Sequence, residues 1–208
     1  IQPELGAADG VALAIRKIQE LNPSPDFIIT GGDMIMDALD VTRERAETQL
    51  RLFRETLKTL STEIPGTRRD TKLLNIPIYH TIGNHDVYGW IKKDGNVSKE
   101  AGYGKKMFQE WYALGRTYYS FDFADWHFVI LDSIQPKAPN SWHAEIDDAQ
   151  LQWLKDDLAQ VGKTRPIALI THVPLMTLVT QYTEGTTVAN TDGGIVRNGK
   201  EVRDIFVP

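Results

Sequence analysis

Val11, Ile15, Ile18 and Leu21 recur at helical spacing, and Asn22-Pro23-Ser24-Pro25 closes that segment, because proline supplies no backbone donor and restricts the residue before it. Phe27-Ile28-Ile29-Thr30 then reads as a short buried strand that runs into Gly31-Gly32-Asp33. Leu50, Phe53, Leu57 and Leu60 share one face of the next helix, with Arg43, Glu44, Glu47, Arg51 and Arg54 around the rest, so it is expected to lie on a sheet with its charges outward. After a polar loop over Ile64–Asp70, Ile76 to Ile82 forms a second apolar strand, again opening on a glycine turn, Gly83-Asn84-His85-Asp86.

A Gly- and Lys-rich insertion from Tyr88 to Lys106 precedes a helix carrying Met107, Trp111 and Leu114. Tyr118 to Phe123 and His127 to Leu131, joined by Ala124-Asp125-Trp126, predict a hairpin. Leu151, Leu154, Leu158 and Val161 mark a further helix, and Ile167 to Ile170 a strand that ends in Thr171-His172-Val173-Pro174. Thr177 to Asn198 lacks periodicity and reads as a long loop before a short helix near Glu201 to Phe206. Alternating helices and buried strands imply an α/β domain, here a single one over residues 1–208.

Composition narrows the chemistry. The 208 residues include no cysteine, which removes thiolate metal sites, disulfides and cysteine nucleophiles, and leaves His, Asp, Glu and Asn to hold any metal. A net charge of -5, with 23 basic against 28 acidic residues and no long basic cluster, disfavours binding to duplex nucleic acid. No stretch approaches the ~20 apolar residues that cross a membrane. Ile1 rather than Met opens the numbered chain, so its start is expected to be processed or trimmed and localisation is not legible.

Three strands end in polar residues of metal-ligand type, and ligands gather at the carboxyl ends of strands in open α/β sheets. The ends carry Asp33, Asn84-His85-Asp86 and His172. Gly-Asp after a strand, or one histidine, is weak alone. Gly83-Asn84-His85-Asp86 crowds three chelating or proton-moving side chains into one exit, against the bland reading of an Asn-centred turn with a capping Asp.

In that order these blocks resemble the calcineurin-like metallophosphoesterase superfamily, whose signature runs Asp-x-His, Gly-Asp, Gly-Asn-His-Asp/Glu, a lone His and Gly-His-x-His. The segments Trp126–Ser133 and Gln150–Leu154 also resemble stretches of bacterial members. The resemblance implies a four-layer α/β/β/α sandwich with mixed sheets and two divalent ions of Mn, Fe or Zn type. Asp33 would bridge the ions, Asn84 and His172 would bind the second, His85 would face substrate, and Asp86 would orient His85 through a ring nitrogen. The implied reaction is hydrolysis of a phosphate mono- or diester, from a small phosphoester or nucleotide, by a metal-activated hydroxide. The alternative is a binding scaffold with an impaired metal site.

The first and last signature blocks are missing, so the chain is expected to be a fragment, incomplete at both ends and binding one ion or none. Of the other histidines, His80 and His127 are expected inside strands, and His143 on a loop. Asp37 either supports the metal shell or caps the following turn. Asp132-Ser133 either approaches the cleft or forms a turn, and Tyr88 and Trp90 either line the pocket or pack the insertion.

Overall fold

The computed structural model describes residues 7–58 and 76–207; Leu60 and the loop Ile64–Asp70 lie outside them. The first helix, α1 (Ala7–Glu20), stops short of the proline run and buries Ile15. Strand β1 (Ile28–Thr30) leads through the Gly31-Gly32-Asp33 turn toward α2 (Arg43–Lys58), which buries Ala46, Gln49, Leu50 and Phe53 along one stripe. Strand β2 (Ile78–His80) pairs parallel with β1, Ile28 opposite Ile78 and Thr30 opposite His80. Parallel pairing brings the Asp33 loop and the Gly83–Asp86 loop to the same end.

Helix α3 (Lys106–Tyr112) ends at Ala113, whose φ is +52°, so Leu114 falls beyond the helix expected to carry it. Its N–H returns to the Gln109 carbonyl at 2.9 Å. The hairpin forms from β3 (Tyr119–Phe123) and β4 (Trp126–Ile130). Phe123 pairs with Trp126, so the connection is Ala124-Asp125 and Trp126 opens the second strand instead of lying in the turn. A second hairpin, β5 (Ile134–Lys137) with β6 (Ser141–Ala144), was not expected. Pro136, inside β5, masks it in the sequence, since proline donates nothing to a ladder and sits in strands mainly at edges.

Helix α4 (Asp148–Val161) is capped by Asp147, which accepts the Gln150 N–H at 2.9 Å, and it buries Gln150, Leu151 and Leu154. Strand β7 (Ile167–Ile170) joins β4 in parallel, so the order is β3-β4-β7. This pairing again sets two loop exits, Asp132-Ser133 and Thr171-His172, side by side. The long polar segment holds a short helix, α5 (Val179–Glu184), before α6 (Gly199–Phe206).

The result is a mixed α/β fold of several sheets. The strands expected to be buried, β1 and β2, are half-buried along their whole length, as is β7, and each has one hydrogen-bonded neighbour among the described residues. Two stitches join β1–β2 to β3–β4. The Tyr119 hydroxyl accepts the His80 N–H at 2.8 Å and donates to the His80 carbonyl at 3.0 Å, acting as a surrogate strand edge. Phe27 meets Tyr79, Phe121, Phe123 and Phe128 edge-on, and Tyr79 stacks on Phe121.

Candidate active site

Parallel pairing of β1 and β2 sets two loops at one end, the loop after β7 meets them there, and two glycines let them touch. At Gly83, a Cβ would stand 2.2 Å from Asp33 Oδ1 and 2.3 Å from the Asp33 backbone nitrogen. At Gly32, with φ +89°, it would meet His172 Nδ1 at 2.5 Å. Asp33 itself has φ +51°, a left-handed conformation that an Asp tolerates at some cost and that backbones retain chiefly at functional sites.

The Asp33 carboxylate accepts the His85 N–H at 3.0 Å through Oδ1, while its Oδ2 lies 3.4 Å from His172 Nε2. A carbonyl can only accept, so the 2.7 Å contact to the Gly31 oxygen assigns the His172 ring proton to Nδ1 and leaves Nε2 facing Asp33. Burial alone would lift the Asp33 pKa, but His172 and the His85 N–H outweigh it and hold the carboxyl below its ordinary value. For His172, burial works against the charged ring, yet Asp33 and the Gly31 carbonyl prevail and its pKa rises. Asn84 is buried in the 3-10 turn Asn84–Asp86, adjacent to these groups in the chain.

Asp86 does not orient His85. Its fully buried carboxylate turns back beneath the two loops and accepts the Gly83 N–H at 2.9 Å and the Met34 N–H at 3.0 Å, tying the second loop to the first. Burial pushes its pKa up to about 7, with the Asp33 charge adding and the N–H groups opposing. The carboxylate beside His85 belongs to Asp37, whose Oδ1 is 3.4 Å from the buried His85 Nδ1, an ion-pair distance short of an aligned hydrogen bond. Such contacts tighten when a substrate binds. Asp37 also caps its own turn through the Leu39 N–H at 2.8 Å, which is one of its two expected roles.

The remaining candidates separate. Asp132 and Ser133 are buried; Asp132 pairs with Lys105 at 2.6 Å, and Ser133 Oγ accepts the Val173 N–H at 3.0 Å, next to His172. Tyr88 is a core residue whose hydroxyl donates to Glu100, and Trp90 packs against the core with Lys105 over its ring. His80 and His127 are strand residues as expected; His143 lies in β6, not on a loop, and reaches Glu145 at 2.7 Å.

The calcineurin-like phosphoesterase family model matches residues 5–204. The chain belongs to that family. No curated protein sequence matches it. Among solved structures, a dimetal phosphatase from Danio rerio is similar over 96% of this chain and 67% of its own, with a TM-score of 0.59 and 15% identity, a likeness of fold. Metal-dependent phosphoester hydrolysis is the general chemistry of the family.

The donors present fit part of a metal centre. Asp33 offers a carboxylate, Asn84 a carboxamide, and His172 an imidazole whose Nδ1 is anchored on a carbonyl, the arrangement that fixes a metal-binding histidine. Among the described residues no three His, Cys, Asp or Glu side chains gather that could hold an ion. Asp33 and His172 meet at 3.4 Å, a carboxylate and an imidazole of metal-ligand type side by side.

Proposed function

We propose that the protein hydrolyses phosphate mono- or diesters of small molecules or nucleotides in a metal-dependent reaction. The observation that carries this reading is the meeting of Asp33, His172 and His85 at one rim, where Asp33 accepts the His85 backbone N–H and lies in ion-pair reach of the His172 ring. Divalent ions held by Asp33, Asn84 and His172 would polarise the phosphoryl group and activate a water. His85 would carry a proton on Nε2 and release it to the departing alkoxide oxygen as its bond to phosphorus breaks, while Asp37 steadies Nδ1. The negative net charge favours small phosphoesters over duplex nucleic acid.

A second reading, a binding scaffold with a weakened centre, draws on the absence of a full His/Cys/Asp/Glu cluster among the described residues. Hydrolysis of p-nitrophenyl phosphate and bis-p-nitrophenyl phosphate with Mn2+ separates the two. The enzyme reading expects turnover abolished by EDTA and, for an alkyl ester such as glycerol phosphate whose alkoxide needs a proton, lowered at least roughly a hundredfold in His85→Ala. Absence of turnover of either ester favours the scaffold, and turnover of glycerol phosphate unchanged in His85→Ala removes His85 from the role of proton donor.

A further inference from the structure

Gln49 belongs to none of the sequence motifs, yet it is a buried polar residue on the inner stripe of α2, 5% exposed. A carboxamide carries both a donor and an acceptor, so it can pair with the N–H and the C=O of a single residue, as an ionised carboxylate or an ammonium cannot. Gln49 does this to Asp37. Its Oε1 accepts the Asp37 N–H at 3.1 Å and its Nε2 donates to the Asp37 carbonyl at 2.8 Å. The same Nε2 also reaches the Arg45 carbonyl, one helical turn back, at 3.3 Å.

The carboxylate of Asp37, held at its backbone in this way, stands 3.4 Å from His85 Nδ1. From the other side, the Ala38 N–H donates to the His85 carbonyl at 2.8 Å, so the two residues are fixed against each other within one loop pair. We propose that Gln49 is a positioning residue for the His85–Asp37 pair, anchoring Asp37 to α2 so that the imidazole presents Nε2 to the departing oxygen. This rests on the reading of His85 as the proton donor. In that step the oxygen of a water that has given one proton to solvent bonds to phosphorus as hydroxide, the ester P–O bond breaks, the Nε2 proton passes to the alkoxide, and His85 takes up a proton from solvent for the next turnover. An anchor of this kind matters most where the leaving group needs the proton.

The test compares p-nitrophenyl phosphate, whose phenolate departs without a proton, with glycerol phosphate, whose alkoxide requires one, using the whole chain with Mn2+. In Gln49→Leu, kcat on the alkyl ester is expected to fall roughly tenfold more than on the aryl ester, with little change in KM. His85→Ala should show the same bias more strongly, and Gln49→Glu, which keeps the acceptor but not the donor, should fall between Gln49→Leu and wild type. A loss in Gln49→Leu that is equal for both esters, or no loss, while His85→Ala keeps its bias, overturns the positioning role. If His85→Ala shows no bias, the proton-donor reading fails first and the proposal falls with it. Should Gln49→Leu not fold, Gln49→Glu carries the comparison with the same expected and overturning results.

Discussion

At the scale of single residues, the site depends on atoms that are missing. Gly83 lets the Asp33 backbone and carboxylate pass within the space a methyl group would fill, and Asp33 is already strained. Gly83→Ala must therefore push the two loops apart. The expected outcome is a loss of about 3 kcal/mol in urea unfolding, accompanied by loss of hydrolysis, because the displaced carboxylate is the one that faces His172. A stable, active Gly83→Ala protein would show that the loops yield without cost. The residue scale is also where adjacency in sequence misleads. Asp86 follows His85 directly, but the tight turn between them sends its carboxylate down to Gly83 and Met34, and Asp37 takes the position beside the ring.

Among the elements, β2 carries a titration of its own. Burial holds the His80 pKa down at about 4, and its neutral ring sits between the Thr30 hydroxyl and the face of Tyr112. The unfolded chain binds a proton at this histidine near pH 6.5, whereas the folded chain resists until about pH 4. Stability is therefore expected to fall as pH drops through that window, by up to about 3 kcal/mol. Asp86 works in the opposite sense over much of the same range, since its folded pKa is raised. The difference in unfolding free energy between wild type and His80→Gln isolates the histidine. A difference that stays constant from pH 7 to about pH 4 would assign the dependence to another group. The elements that periodicity made legible were those with long apolar stripes, α1, α2 and α4, and the β3–β4 hairpin, though not the length of its turn. The β5–β6 hairpin was hidden because its residues alternate poorly and include prolines.

For the molecule as a whole, loops from different sheets meet at one rim, and a ligand held there links them. A metal that binds the folded chain and not the unfolded one stabilises it by mass action, by about 2.7 kcal/mol at a hundredfold excess over Kd. Mn2+ is accordingly expected to raise Tm by roughly 5 to 10 °C. EDTA should reverse the shift and Asp33→Ala should remove it; a shift that survives Asp33→Ala places the ion elsewhere. The order of the blocks Asp33, Asn84-His85-Asp86 and His172, the α/β class and the family could be read from the sequence, because each rests on local spacing and on residue types at strand ends. Which carboxylate faces His85, that Gln49 holds it, and that Ser133 supports the His172 loop were decided by tertiary structure alone. Those contacts join residues distant along the chain, and the direction a side chain takes out of a turn depends on backbone geometry that only parallel pairing of the strands establishes.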